Sequence, residues 1–163
     1  MSAKPILIDT CVLFTGEVRK LLLIMAKHNI LQPYWSEIIF EEWRRNSKFN
    51  IEDQITALKN DYPSALVTDF EDMIHDIQLR DKDDRHVIAA AFKAKADLII
   101  TFNIKDFPYM KLHPYQLDKS HPDIFCLNMI KAHQGIIEDI KANISLDELE
   151  KCNLTKTINY LKQ

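Results

Sequence analysis

Short apolar runs without alternation occur at two places in the chain, and both end in polar residues. Residues 5–8 run directly into Asp9, and residues 98–101 lead into the polar turn 103–106. A strand that is buried on both faces of a parallel sheet has this uninterrupted apolar character. We therefore predict a strand over each run, with Asp9 and the polar turn at the carboxyl ends of the strands.

Apolar residues recur at helical spacing through most of the sequence between these runs. A helix is predicted from Gly16 to about His28, and a further strand over residues 31–34 completes a β-α-β unit. Ser36 is a suitable N-cap for the next helix, which carries Glu42. The remaining predicted helices lie around residues 51–58, over residues 63–77, and from near Asp83 through an alanine-rich stretch to Ala94.

The pattern changes beyond Tyr109. A proline-bearing connection runs to Pro122, where a helix is predicted, and residues 145–148 have the form of a capping box that starts another helix. Alternating strands and helices in the first two-thirds of the chain predict an α/β domain with a parallel sheet. We assign residues 1–110 to this core and residues 111–163 to a helical C-terminal extension packed on the same domain.

Length and composition are those of one globular domain. A chain of 163 residues, 47% hydrophobic and 28% charged, can bury a core of its own but has no room for a second full domain. The longest apolar runs, residues 21–26 and 87–92, are far shorter than the roughly 20 residues that cross a bilayer, and the N-terminus lacks the features of a secretory signal. We expect a cytoplasmic protein without a membrane span.

Residue counts exclude several chemistries. Three widely spaced cysteines without a Cys-x-x-Cys pair argue against a disulfide framework and against zinc. Only two glycines occur, Gly16 and Gly135, so neither a Walker loop nor a dinucleotide-binding fingerprint can be formed. The net charge of −3 does not decide for or against nucleic acid, because an acidic metal pocket can coexist with a basic rim.

Acidic residues at the predicted carboxyl ends of the strands suggest a shared site. Functional residues of open parallel sheets collect outside these ends, where Asp9 and Asp106 fall. Helices that open at the same edge would add Glu42 and Asp84. We therefore expect these acids to converge on one crevice.

Clustered carboxylates favour a metal site. They repel one another and bind protons at neutral pH unless a cation compensates them. Oxygen ligands without neighbouring His or Cys suit Mg²⁺ or Mn²⁺, which activate water and neutralise a leaving oxygen, so phosphodiester hydrolysis is the natural reaction. An exposed basic flank could hold the substrate backbone, and it comprises Arg44, Arg45, Arg85 and Lys105.

Four blocks of sequence, which together span residues 6–108, resemble the PIN-domain nucleases and in particular the VapC-like toxins of toxin–antitoxin pairs. The blocks are residues 6–13 with Asp9, residues 35–46 with Glu42, residues 81–91 with Asp84, and residues 100–108 with Asp106. No single block is specific, but all of them in this order are a strong signal. The tail through Leu161 is similar to the helical extension of one PIN subgroup.

The resemblance implies a three-layer α/β/α domain with Mg²⁺- or Mn²⁺-dependent endoribonuclease activity on RNA. It also implies a small antitoxin protein, whose tail enters the acidic groove and holds the toxin inactive, and members are often homodimers. The acid of each block would be a catalytic residue and a metal ligand. The residues expected to contact substrate or to support these acids are Thr10, Thr101, Asn103, Arg44 and Arg85.

Neighbouring acids leave three of the four positions open. The alternatives are Glu41 for Glu42, Asp81 or Asp83 for Asp84, and Asn103 for Asp106. Cys11 is a departure from the family, because much of it has Asn there and a thiol is a weaker hydrogen-bond partner. His86 lies near the acids in sequence, but we expect it to pack or to hydrogen-bond at the start of its helix.

Two other functions compete with a ribonuclease. A catalytically silent PIN scaffold that binds RNA or a protein partner would bind without metal and would be insensitive to Asp9→Asn. A phosphomonoesterase of the Asp-nucleophile type would need a second Asp two positions after Asp9, where this chain has Cys11.

Overall fold

Across residues 2–163, which the computed structural model describes, the chain folds around a five-stranded parallel sheet. The strands are β1 (Lys4–Ile8), β2 (Leu31–Ser36), β3 (Leu66–Val67), β4 (Leu98–Ile100) and β5 (Asp118–Ser120). Their order across the sheet is β3-β2-β1-β4-β5, and every neighbouring pair is parallel. β1 is therefore central, with Ile6 paired to Pro33 on one side and to Leu98 on the other.

Helices flank this sheet and extend the chain beyond it. Within residues 2–163 the α-helices are α1 (Thr10–Leu13), α2 (Gly16–Lys27), α3 (Glu37–Asn46), α4 (Glu52–Asp61), α5 (Arg85–Lys93), α6 (Tyr109–Leu112), α7 (Pro122–Ala132), α8 (Ile137–Asn143), α9 (Leu146–Glu150) and α10 (Thr155–Leu161). Short 3-10 helices occupy Glu71–Asp76, Lys82–Asp84, Ile104–Asp106, His113–Tyr115 and Gln134–Ile136. The predicted α/β fold with a central parallel sheet is confirmed.

The central strands form the middle of the core. From Ile6 to Ile8 the residues of β1 are at most 1% exposed, because the sheet is covered on both faces. This burial is the physical reason for the unalternating apolar runs. The strands predicted over residues 5–8, 31–34 and 98–101 are confirmed, with small differences at their ends.

Two predicted helix starts are confirmed by their capping hydrogen bonds. The hydroxyl of Ser36 accepts a hydrogen bond from the N–H of Ile39 at 3.2 Å and caps α3. The hydroxyl of Ser145 accepts one from the N–H of Glu148 at 3.3 Å and caps α9. The first cap matters for the site, because it begins the helix that carries Glu42.

The helix predicted over residues 63–77 is wrong. This segment forms β3 and then a 3-10 helix over residues 71–76, and between them Asp69 has a φ of 61°. A left-handed residue interrupts an α-helix, and Asp adopts that conformation more readily than most residues. Phe70 and Ile77 nevertheless reach the core, with 3% and 2% exposure. The apolar spacing reported burial here and not an α-helix.

A strand also lies where the sequence predicts only a connection, inside the segment 111–163 described as helical. β5 pairs Asp118 with Leu98 and Ser120 with Ile100. It is an edge strand made of polar residues that are not fully buried. Edge strands need no apolar run, so this strand gives no hydrophobic signal and this part of the segment is not helical.

The helices after β5 pack on α2 and on one another. α7, α8 and α9 contact α2, and α10 lies against α7. The buried carboxylate of Asp123 in α7 accepts hydrogen bonds from the N–H groups of Thr157 at 2.8 Å and Lys156 at 3.0 Å. The apolar residues of these helices join the same buried cluster as the sheet. Among the described helices, none is both long enough and apolar enough to cross a membrane.

Candidate active site

Asp9 stands at the carboxyl end of the central strand, where the backbone turns into α1. It is 7% exposed, and its Oδ1 accepts a hydrogen bond from the backbone N–H of Thr10 at 2.8 Å. Its Oδ2 accepts one from the hydroxyl of Thr101 at 2.8 Å, and the thiol of Cys11 lies 3.7 Å from the same oxygen. Groups that follow both β1 and β4 therefore hold this carboxylate in one orientation.

The charged form of Asp9 is disfavoured by its surroundings. Burial raises the pKa of this carboxyl above its ordinary value, against the hydrogen bonds from Thr101 and Thr10, which lower it, and the charge of Glu42 adds to the increase. A carboxylate in this position is short of positive charge, which a cation could supply.

Glu42 reaches the site from α3. Its Oε1 accepts a hydrogen bond from the hydroxyl of Thr10 at 3.1 Å, and Nε2 of His86 lies 2.8 Å from the same oxygen. Thr10 thus contacts both acids, Asp9 through its N–H and Glu42 through its hydroxyl. Within the described part of the chain, Oε2 of Glu42 accepts no hydrogen bond.

Glu42 differs from Asp9 in its electrostatics. Burial by itself raises the pKa of Glu42, but the contacts with His86 and Thr10 and the charge of Arg45 outweigh it, and the pKa is lowered. The carboxylate of Glu42 is therefore ionised at neutral pH although it is partly buried.

Asp84 enters the site just before the first residue of α5 and is half-buried. Burial raises the pKa of Asp84 to about 6, and the charges of Asp9, Asp81, Asp106 and Glu42 add to the increase. These acids are close enough to repel one another, which is the situation that a bound cation relieves.

One cavity of about 300 Å³ joins three of the predicted acids, Asp9, Glu42 and Asp84. The other residues on its wall are Thr10, Cys11, Phe14, Asn46 and Asn103. We call this space the carboxylate cavity. The structure therefore brings together residues that follow β1 and β4, residues of α3, and Asp84 just before α5.

The fourth predicted acid lies outside this wall. Asp106 is exposed in its 3-10 helix, although its charge still raises the pKa of Asp84. Asn103 lines the carboxylate cavity instead, and its N–H donates a hydrogen bond to the hydroxyl of Thr101 at 3.0 Å. Of the two alternatives for this position, Asn103 is thus on the wall and Asp106 is outside it.

The other alternative acids, Glu41, Asp81 and Asp83, are exposed. Glu41 forms an ion pair with Arg44, whose Nε also lies 2.6 Å from Glu52. Asp81 accepts a hydrogen bond from the N–H of Asp83 at 2.9 Å and shapes the turn before α5. None of these residues lines the carboxylate cavity. Arg44, which we expected to contact substrate, is occupied by surface ion pairs.

His86 belongs to the site, although the sequence predicted only a role at the helix start. It is 6% exposed, and its Nε2 is the nitrogen that lies against Glu42. Nε2 of His86 lies 2.8 Å from Oε1 of Glu42, although neither ring nitrogen has a hydrogen-bond partner of good geometry among the described residues. The only signal in the sequence was its position two residues after Asp84. Arg85, between them, donates to the carbonyl of Lys82 at 3.2 Å and does not line the cavity.

The chemistry of the cavity wall fits a hard divalent cation. Asp9, Glu42 and Asp84 offer carboxylate oxygens and Asn103 offers an amide oxygen, which are the ligand types of Mg²⁺ and Mn²⁺. Among residues 2–163, however, no three His, Cys, Asp or Glu side chains are grouped tightly enough to hold a metal ion.

The fold and this cavity define a class of protein. The PIN domain family model matches residues 5–105, which is more than half of the chain and reaches from β1 to the turn after β4. The chain belongs to the PIN domain family, as its sequence blocks predict.

A curated relative extends this comparison. Over 79 residues the chain is 37% identical to the putative ribonuclease VapC50 of Mycobacterium tuberculosis. The matched stretch is 48% of this chain and 46% of the relative, so it spans about half the length of each protein. The predicted resemblance to VapC-like proteins is confirmed.

Proposed function

We propose that this chain is a divalent-metal-dependent endoribonuclease that hydrolyses RNA phosphodiester bonds and acts as the toxin of a toxin–antitoxin pair. The observation that carries the proposal is the buried Asp9, held by Thr10 and Thr101 in one cavity with Glu42 and Asp84. Membership of the PIN domain family and the similarity to a relative named as a ribonuclease support the same activity.

We assign metal binding to the oxygen atoms on the cavity wall. Asp9 and Asp84 supply carboxylates, Glu42 supplies its unengaged Oε2, and Asn103 or Asp106 completes the set from the turn after β4. Mg²⁺ or Mn²⁺ bound there would supply Lewis-acid chemistry at the scissile phosphate and the attacking water. Its charge would also offset the repulsion that raises the pKa of Asp84.

The neighbouring residues orient the acids and do not react. Thr10 and Thr101 each hold one oxygen of Asp9, and His86 and Thr10 together hold Oε1 of Glu42. In the hydrolysis, a water oxygen bonds to phosphorus and the bond from phosphorus to the 3′ oxygen breaks. The water gives up one proton, and the leaving 3′ oxygen gains one, so no other reactant is needed.

A basic protein segment is the partner that this cavity suits. Its crowded carboxylates would be compensated by an arginine or lysine side chain as they would be by a metal. A small antitoxin that places such a segment in the cavity would block both metal and RNA. Homodimer formation is a further part of the proposal and rests on the family resemblance alone.

Cleavage of purified total RNA tests the proposal. The wild-type protein should cut RNA with Mg²⁺ or Mn²⁺ and should stop when a chelator is added. Asp9→Asn should be inactive yet folded, because Asn can still cap α1. Asp97→Asn, an exposed acid just before β4, is the matched control and should cut like wild type. Intact RNA with wild-type protein and both metals would contradict the proposed activity.

One observation favours the silent scaffold as a second candidate. No metal-binding group of three side chains is assembled among the described residues. If the chain only binds RNA or a protein, binding should persist with chelator and should be unchanged in Asp9→Asn. Calorimetric titration with Mn²⁺ separates the two functions, since the scaffold should show no binding that depends on Asp9.

A further inference from the structure

A second cavity of about 320 Å³ adjoins the carboxylate cavity and shares Glu42 with it. Its wall comes from α3, from the 3-10 helix at Glu71–Asp76 and from the segment 82–86 that leads into α5. A strand of RNA whose scissile phosphate lies at Asp9 would therefore have one neighbouring nucleotide close to this second space. We call it the flanking cavity.

Two cations on the wall are available to an anionic ligand. Arg45 and Lys82 line the flanking cavity, and neither makes an ion pair with another residue between positions 2 and 163. Arg44, the neighbour of Arg45 in α3, is bound to Glu41 and Glu52 and lies outside both cavities. Arg44 thus pairs with surface carboxylates, whereas Arg45 lines the flanking cavity.

The imidazole of His86 is the buried polar group of this wall. It is 6% exposed, its Nε2 lies against Glu42, and its Nδ1 has no hydrogen-bond partner among the described residues. A buried nitrogen without a partner is costly, so it is a natural position for a hydrogen bond from a ligand. The flanking cavity therefore combines a partner-seeking polar group with two free cations.

Apolar side chains complete the wall. Ile38 and Ile74 line the flanking cavity, and both are only partly buried. Among the described residues, no Phe, Trp or Tyr lines it. A flat ring can cover them, whereas Mg²⁺ or a lone phosphate leaves them in water. Asp83 is the one further acid on this wall beside Glu42.

We propose that the flanking cavity binds the nucleotide next to the scissile phosphate, an inference that rests on the ribonuclease function proposed above. Its base or ribose covers Ile38 and Ile74 and hydrogen-bonds to His86. Its phosphate is held by Arg45 and Lys82. This nucleotide must be unpaired, because a base inside a duplex is stacked and paired and cannot enter a side cavity.

The first test measures the charge contact by salt dependence. A short single-stranded RNA is bound to the Asp9→Asn protein, which does not cut it, in Mg²⁺ at increasing salt. The binding constant K falls as salt rises, and loss of one phosphate contact makes the slope of log K against log salt less negative by about 0.7 for a single strand. Lys82→Ala should show this change. Lys93→Ala, an exposed lysine at the other end of α5, is the matched control and should keep the slope.

The second test measures occupation of the cavity by a base. A set of RNAs carries one abasic residue at successive positions along a strand of fixed sequence. One position should weaken binding to the Asp9→Asn protein by about tenfold, a difference of roughly 1.4 kcal/mol, and where wild type cuts the strand that position should adjoin the cleavage site. Adding Ile74→Trp should fill the cavity and abolish this positional effect. Ile74→Ala is the second variant, used if the Trp protein has a lowered unfolding temperature, and should reduce the effect instead.

The outcomes separate this inference from the proposed function. If wild type cuts RNA but Lys82→Ala keeps the slope and no abasic position matters, the flanking cavity binds no nucleotide and the inference is wrong. If the positional effect persists with the cavity filled, the base lies elsewhere and the inference is again wrong. If the slope and the positional effect behave as expected but wild type cuts nothing, the nucleotide site stands and the ribonuclease function fails.

Discussion

The cavities at the two ends of α5 differ in size and in the state of their acids. The carboxylate cavity at its N-terminal end has a volume of about 300 Å³, and a cavity at its C-terminal end has about 880 Å³. Aromatic rings of Phe92 and Tyr115 meet in the larger cavity, with centroids 5.6 Å apart. Its acids, Asp69, Asp72 and Asp97, are all exposed.

This difference shows that burial and crowding, and not volume, set the acids of the carboxylate cavity apart. Exposed carboxylates are hydrated and need no compensating ion. In the smaller cavity Asp9 is buried, and burial together with neighbouring charge raises the pKa of Asp84 to about 6. The smaller space is therefore the one whose electrostatics call for a cation.

The largest expected effect comes from replacing an acid on the wall of the carboxylate cavity, and the exposed acid next to it in sequence is the matched control. Glu42→Gln should reduce metal-dependent RNA cleavage by about 100-fold or more, because the proposed metal ligand loses its charge. Glu41→Gln, one residue away in α3 and exposed, should change the rate by less than about twofold. Steady-state cleavage of a labelled RNA measures both. Equal losses in the two variants would remove the distinction between acids on the cavity wall and exposed acids.

Thr101 sharpens the comparison because it orients an acid without being one. Thr101→Val keeps the shape of a fully buried side chain but removes the hydrogen bond to Oδ2 of Asp9. We expect about a tenfold loss of cleavage and roughly 1 kcal/mol of lost stability. Urea unfolding and cleavage rates are measured on the same preparation. Thr68→Val, an exposed threonine, should leave both unchanged.

The pH dependence of stability reports the crowding directly. The pKa of Asp84 is raised from 3.8 to about 6 in the folded protein, so the folded state binds more protons between these values. The stability that the protonated Asp84 contributes is fully present below pH 4. It is lost as the pH rises through 6 in metal-free protein. Because Asp84 is partly exposed, we expect the loss to be about 1 kcal/mol.

Urea unfolding at pH 4.5 and at pH 7.5, with chelator present, measures how much stability Asp84 contributes at each pH. Asp84→Asn should flatten the difference between the two pH values, and Asp72→Asn should not. Mg²⁺ at pH 7.5 should restore the stability of the wild type. If the free energy of unfolding changed between the two pH values by the same amount in the wild type and in Asp84→Asn, this carboxyl would not be crowded.

The smallest effect is expected at Cys11. Its thiol touches Oδ2 of Asp9 only at 3.7 Å and is a weak donor, so Cys11→Ala should lower cleavage by about twofold. Burial and the charge of Asp9 raise the pKa of this thiol to about 11. At pH 7.5 it should therefore resist iodoacetamide, which mass spectrometry of the labelled protein checks. Rapid labelling would show that the site is more open than its burial indicates.

The sequence located the acids that are attached to regular elements. Asp9 follows an apolar strand directly, Glu42 lies on a helix with a recognisable cap, and Asp84 immediately precedes the next helix. In a parallel sheet, all strands end at the same edge and the helices that follow them begin there. These residues could therefore be assigned to that edge. Their functional roles remain predictions.

Residues in turns and on helix faces could not be assigned in this way. Asn103 and Asp106 lie in the same turn, and only packing puts the first on the cavity wall. Arg44 and Arg45 are adjacent on α3, and only tertiary contacts give one to surface acids and the other to the flanking cavity. The contact of His86 with Glu42 joins residues far apart in sequence, so no local pattern could indicate it.

For this protein, then, the sequence by itself determined the buried centre of the sheet, the family, and the acids at the end of β1, on α3 and just before α5. Apolar runs and helix caps are local features, so they can be recognised from neighbouring residues in the sequence. The tertiary structure decided β3 and the edge strand β5, the 3-10 helix over residues 71–76, and which side chains share a wall. These depend on what packs opposite each residue, and distances between separate elements set that packing.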